Sequence, residues 1–183
     1  MLADLGADVI KVESPDSGDP YRTYQEGNYS PHFQAYNRNK RSIALNLKSE
    51  ADKKIFDELA AEADVFIQNF RPGAAERMGA GYERLSEINP KLIYCSISGF
   101  GKDGPYRDRP SYDSVAQALS GFLGIVTDRE HPRFLGPALA DSITGIYAAY
   151  GALGALVSRG MDGKGRLVEV SMLEAMTHFA IEP

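Results

Sequence analysis

The stretch from Gly136 to Gly160, GPALADSITGIYAAYGALGALVSRG, constrains this chain more than any other. Small residues crowd it: Ala138, Ala140, Gly145, Ala148, Ala149, Gly151, Ala152, Gly154 and Ala155. Between them Ile143, Ile146, Tyr147, Tyr150, Leu153, Leu156 and Val157 recur at three- and four-residue spacing. That spacing stacks them on one face and predicts a helix over Ser142 to Ser158. Interior glycines cost a helix about 1 kcal/mol each relative to Ala, so Gly145, Gly151 and Gly154 point to close approach of another backbone or a ligand. The single acidic side chain, Asp141, falls at the start, as the N-cap or just before it, where free N–H groups and the helix dipole favour negative charge. As a plain cap it contributes about 1 kcal/mol. As the lone carboxylate of a glycine-studded helix it is a candidate for chemistry.

Short apolar runs alternate with helical patterns along the rest of the chain. Strands are predicted at Val9–Val12, Arg41–Leu47, Ala63–Gln68, Lys91–Ile97 and Lys164–Val170. Helices are predicted from Ser49 as N-cap to about Ala61, over Ala74–Met78, Tyr82–Ile88 and Tyr112–Leu123, and within Val168–Ile181. Residues 14 to 38 are polar with interspersed Tyr and Phe, and read as an ordered loop. Such alternation predicts an α/β fold with a doubly wound, mostly parallel sheet, whose ligands gather at the carboxyl ends of the strands. Those ends are Leu47-Lys48, Asn69-Phe70-Arg71 and Ser98-Gly99.

The charge balance, 20 Lys plus Arg against 25 Asp plus Glu for a net −5, carries no footprint for nucleic acid. No apolar run has the length of a membrane span and nothing resembles a signal peptide, so no membrane partner is expected. The lone Cys95 lies in an apolar strand pattern, which excludes a disulfide framework and favours a reduced, cytoplasmic setting. His32, His131 and His178 stand at no metal-ligand spacing, and no Ser or Cys occupies a nucleophile-elbow pattern. Gly99-Phe-Gly-Lys-Asp-Gly104 matches the dinucleotide fingerprint in letters only. Pro105 and Pro110 follow where a helix should open, so the glycines suit a flexible loop that folds over a ligand. Carboxylate chemistry is what is left.

Several strings in order resemble the class III CoA-transferase (CaiB/BaiF) family: MLADLGADVIKVE, NRNKRSIALNLKS, ADVFIQNFRPGAAERMG, NPKLIYCSISGFG, DGPYRDRPSYDSVAQALSG, ADSITG and GKGRLVEVSMLEA. The resemblance implies a Rossmann-like large domain, of which residues 1–183 would be the CoA-binding and catalytic part. Met1–Gly6 reads as the last turn of a helix with Gly6 closing it, and the final helix is barely finished. We therefore expect a fragment, without the family's N-terminal first strand and C-terminal small domain.

The resemblance further implies a CoA-transferase in which Asp141 attacks an acyl-CoA thioester and forms a covalent aspartyl intermediate. It implies CoA contacts at Leu45, Lys48, Asn69, Phe70, Arg71, Arg77, Ser98, Gly99, Phe100 and Gly101. No tightly bound cofactor or metal is expected; coenzyme A enters as acyl-CoA substrate, the partners are an acyl-CoA donor and a small carboxylate acceptor, and the assembly is an interlocked homodimer. Ser14 and Ser98 stand where formyl-CoA transferases carry Arg and Lys, which argues against assigning oxalate or formyl specificity. Two alternatives stay open. One is proton transfer of the α-methylacyl-CoA racemase type, although Ser111-Tyr112-Asp113-Ser114 lacks that group's His. The other is a catalytically silent CoA-binding subunit.

Overall fold

A computed structural model describes residues 1–24 and 29–181. The chain divides into two compact units, Met1–Leu59 and Ala60–Pro183. Every strand pairing among the described residues is parallel, as the alternation predicts, but the strands form two sheets.

In the first unit β1 (Val9–Glu13) pairs with β2 (Lys40–Ala44), Val9 opposite Lys40 and Glu13 opposite Ala44. Gly6 ends the short turn before β1 at φ +96°, its N–H on the Ala3 carbonyl, a conformation that suits glycine. The polar stretch between β1 and β2 is not all loop: α1 (Pro31–Asn37) occupies part of it, capped by the Ser30 hydroxyl on the Phe33 N–H at 3.1 Å. Part of that stretch, residues 25–28, lies outside the described residues. The inward side of β1 is charged. Lys11 contacts Asp19 and Asn37, and Arg22 grips Glu13 at 2.9 Å while its guanidinium lies 4.3 Å from the Phe33 ring centre. β2 ends earlier than the alternation suggests, so Leu45 and Lys48 lie in the turn before α2 (Glu50–Glu62).

The second unit holds β3 (Val65–Gln68), α3 (Ala74–Arg77), α4 (Tyr82–Ile88), β4 (Ile93–Ser98), α5 (Asp113–Leu119), α6 (Phe122–Val126), α7 (Leu139–Asp162), β5 (Arg166–Ser171) and α8 (Met172–Phe179). β4 is central, with β3 and β5 on either side. Its Ile93, Tyr94 and Cys95 are buried, as a middle parallel strand requires. The Tyr94 hydroxyl donates to the Ala80 carbonyl at 2.9 Å, and burial pushes its pKa up to about 12. Burial likewise pushes the Cys95 thiol up to about 11, consistent with a small core side chain rather than a reactive one. The helix predicted over Tyr112–Leu123 is broken in two, because Gly121 at φ +83° turns the chain between α5 and α6.

α7 corrects two expectations. It is longer than predicted, 24 residues or about 36 Å, and runs to Gly163, which closes it at φ +74° with its N–H on the Arg159 carbonyl. Its buried face is mostly a stripe of small residues, joined by Ile143. Ile146, Tyr150 and Val157 are 52%, 76% and 69% exposed, whereas Ala140, Thr144, Ala148, Ala152 and Ala155 are buried at helical spacing. The small stripe lets the helix backbone settle close to the sheet. A Cβ at Gly151 would come within 2.8 Å of Val168 on β5, and the Cys95 thiol lies 3.9 Å from the Ala148 carbonyl. Gly145 and Gly154, by contrast, face open space, so close approach explains one of the three interior glycines.

Tight packing recurs where β5 begins. A Cβ on Gly165 would lie 2.3 Å from the Leu92 carbonyl oxygen and 2.6 Å from the Lys91 carbonyl carbon, both backbone atoms that cannot step aside. Gly165→Ala is therefore expected to destabilise the fold by about 3 kcal/mol. Gly154→Ala, on the open side of α7, should stabilise it by about 0.5–1 kcal/mol. Denaturant titration of the two variants checks both signs.

Candidate active site

Asp141 is neither the N-cap nor outside the helix. The cap is Ala138, whose side chain makes no capping hydrogen bond, so Asp141 is the third residue of the first turn. That still places its carboxylate at the positive end of the dipole. The turn is anchored from below by a small core of Ala116 on α5, Ala140 and Ile143 on α7, and Ala175 and Met176 on α8, with Phe122 of α6 packed against it.

A neighbouring helix supplies the cap that Ala138 cannot. The Asp141 N–H donates to Asp113 Oδ1 at 3.0 Å, so a carboxylate from α5 satisfies the free amide at the third position. Gln117, one turn further along α5 and 1% exposed, donates from Nε2 to the other oxygen of Asp113. The sequence pattern placed neither residue in the site. The available signal was an acid and an amide four residues apart, with the amide on the face that also carries Ala116.

The electrostatics at this point are opposed. Asp141 is exposed, yet the protein around its base withdraws part of its hydration. That loss first, and the Asp113 charge second, hold its pKa above the ordinary aspartate range. Asp141 is accordingly a more basic carboxylate than a free aspartate, still open to a reactant. Gly145, one turn on and on the same side, leaves open space beside it.

A chain of contacts ties the glycine loop to this carboxylate. At the far end of α7 Arg159 donates to the Lys91 carbonyl at 3.1 Å and pairs with Asp64 at 2.6 Å, next to where β4 and β3 begin. The first turn of α7 therefore lies toward the opposite edge, where the strands finish. There Gly99 passes so close to Ser111 that a Cβ would meet the Ser111 Cβ at 2.2 Å, and Ser111 stands two residues before Asp113. Gly101 adopts φ +86° and donates its N–H to the Ser98 hydroxyl at 2.9 Å. Phe100 packs edge-on against Tyr106 at 5.6 Å, and Lys102 pairs with Glu169 at 2.8 Å. The loop thus makes contacts both within itself and with β5.

The sequence-derived CoA contacts fall into two groups. Ser98 to Gly101 sit at the end of β4, and Asn69 to Arg71 at the end of β3 beside it. Arg77 reaches back over that turn, its guanidinium 3.0 Å from where a Gly73 Cβ would be, and Phe70, Arg71 and Arg77 are all exposed. Leu45 and Lys48 belong to the first unit. Leu45 is 5% exposed, so its side chain is part of the core, while Lys48 is exposed and its N–H closes a turn on Asn46 Oδ1 at 3.0 Å. Two open hollows of the second unit lie elsewhere. One of about 380 Å³ is lined by Glu62, Asp64, Asn89, Lys91 and Arg159 at the edge where the strands start. Another of about 510 Å³ lies in the Val126–Leu135 loop. Parallel sheets gather ligands at the opposite edge, so Asp141 and the Gly99 loop outweigh both. Among the described residues no three His, Cys, Asp or Glu side chains gather as metal ligands, and no helix is long and apolar enough to cross a membrane.

Several known proteins are similar to this chain over nearly its whole length. The acetyl-CoA:oxalate CoA-transferase of Acetobacter aceti is 44% identical over 98% of this chain and 47% of its own length. The human succinyl-CoA:glutarate CoA-transferase is 45% identical over 95% of this chain and 41% of its own length. The crystal structure of a CAIB/BAIF family protein from Brucella suis superposes with a TM-score of 0.91 at 40% identity, covering 97% of this chain and 49% of that one. The chain thus spans about half the length of the relatives it matches. The model of CoA-transferase family III matches residues 1–182, and the chain belongs to that family.

Proposed function

We propose that this chain carries the nucleophile and part of the CoA site of an acyl-CoA:carboxylate CoA-transferase. The observation that carries the proposal is Asp141: a carboxylate of raised pKa at the positive end of α7, exposed, with open space at Gly145 beside it. The named relatives exchange CoA between carboxylic acids, and an acid residue can do so by covalent relay.

In the proposed cycle a carboxylate oxygen of Asp141 attacks the thioester carbonyl of the donor. The C–S bond breaks, leaving an aspartyl mixed anhydride and CoA thiolate. The thiolate attacks the Asp141 carbonyl, expels the donor's carboxylate and forms an aspartyl-CoA thioester. The acceptor carboxylate attacks that thioester in turn, and the released thiolate takes the acceptor's acyl group, restoring Asp141. Each step needs an oxyanion held by N–H donors in a partly dried site. Asn69 to Arg71, Arg77 and Ser98 to Gly101, at adjoining strand ends, are the proposed CoA contacts, the two arginines meeting phosphates. The interlocked homodimer and the cytoplasmic setting belong to the same proposal, the former checked by light scattering.

Incubation with acyl-CoA followed by hydroxylamine should leave a hydroxamate on the peptide containing Asp141. Asp141→Ala should lower transfer by about 10³-fold or more with CoA affinity little changed. A label elsewhere, or transfer by the variant at the original rate, overturns the assignment.

The raised pKa also has a definite sign for stability. Folding favours the neutral acid, so the ionised side chain weakens the fold at pH values above its folded pKa, and the penalty vanishes once pH falls below the unfolded value. Asp141→Asn should therefore raise the melting temperature at neutral pH, with the gain shrinking as the pH falls through the acid range. In the wild type, kcat/KM should decline on the acid side with a limb above the ordinary aspartate pKa of about 3.9.

A further inference from the structure

The start of α7 is held by a residue with no place in the chemistry above. Gln117 is 1% exposed, and both directions of its amide N–H₂ are engaged: toward Asp113 Oδ2, and toward the Pro137 carbonyl at 3.4 Å, just before the helix begins. The orientation is dictated by its neighbour, because a carboxylate only accepts hydrogen bonds. The consequence is an amide oxygen, Oε1, that is buried and has no partner among the described residues. An orphaned buried acceptor costs about 1–3 kcal/mol, and a residue kept only to fill space, such as Leu or Met, would avoid that cost.

Building on the transferase reading, we propose that Gln117 is a positioning residue for Asp141: it clamps Asp113 onto the Asp141 N–H and joins α5 to the segment that enters α7. Asp113 thereby becomes a cap delivered from another helix, and its charge is fixed beside the nucleophile. The elements packed around this turn carry few other titratable groups. On α8 Glu174 accepts from the Ser171 hydroxyl at 2.7 Å and His178 is bonded to Tyr147, and α6 has none. Asp113 is the charge that acts on Asp141.

Removing the amide frees Asp113 to swing toward water, which loosens the first turn and withdraws the negative charge from Asp141. The test compares wild type with Gln117→Leu and the more adaptable Gln117→Met, with Asp113→Asn as a reference that keeps an acceptor but no charge. Carboxyl titration by NMR with ¹³C-labelled aspartate follows Asp141 directly, and steady-state kinetics with an acyl-CoA donor and a carboxylate acceptor follow turnover. In both Gln117 variants the Asp141 titration and the acid limb of kcat/KM should move to lower pH. Turnover should fall about 10- to 100-fold, as for a misaligned reacting group, with KM for acyl-CoA within about twofold. Asp113→Asn should reproduce the pH shift. An unmoved titration and limb in folded Gln117→Leu and Gln117→Met overturn the assignment, as does a loss of rate that tracks melting temperature alone. A whole protein containing this chain that performs no transfer refutes the transferase reading instead, while the NMR titration still decides the role of Gln117.

Discussion

The close seating of α7 on β4 and β5 is the constraint from which the second unit takes its form. A helix that presents Ala140, Thr144, Ala148, Ala152 and Ala155 to a sheet gains little from each side chain, since burying an alanine removes little apolar surface from water. It gains proximity. With Gly151 against Val168, backbone and sheet pack at a distance that larger residues would forbid, and dispersion across the contact adds up. The same requirement explains Gly165, where β5 squeezes past the Leu92 carbonyl. A rod seated this tightly can hold a reactive group at one end without relying on a loop.

At that end stability and chemistry pull apart. The helix dipole favours a negative Asp141, while partial loss of water and the Asp113 charge disfavour it, and the latter effects win. A side chain that only capped the helix would be better placed one turn earlier, at the position Ala138 holds. Capping falls instead to Asp113 on α5, held by a buried Gln117 whose own oxygen is left unpartnered. A like charge and an orphaned acceptor beside one exposed carboxylate are the kind of arrangement that clusters at functional sites.

Much of this was legible from local patterns. Alternating apolar runs marked the five strands of the described residues to within a few positions, because a parallel strand must be apolar over a short, sharply bounded length. A glycine marked a true stop at Gly6, where only an unbranched backbone takes positive φ cheaply. Periodicity stopped α7 at Ser158, short of its end at Asp162. It missed the Gly121 break between α5 and α6, and it took α1 for loop.

Asp141 stood out in the chain itself, as the one acid in the glycine- and alanine-rich stretch from Gly136 to Gly160, and so did the parallel α/β class, because both depend on residues close in sequence. What surrounds that acid did not. Asp113 and Gln117 lie 28 and 24 positions upstream, and nothing local says that a side chain on one helix will cap the first turn of another. That pairing, the shift it imposes on the carboxylate, and the meeting of Gly99 with Ser111 arise only when the elements fold together, since electrostatic and steric effects act through space and not along the chain.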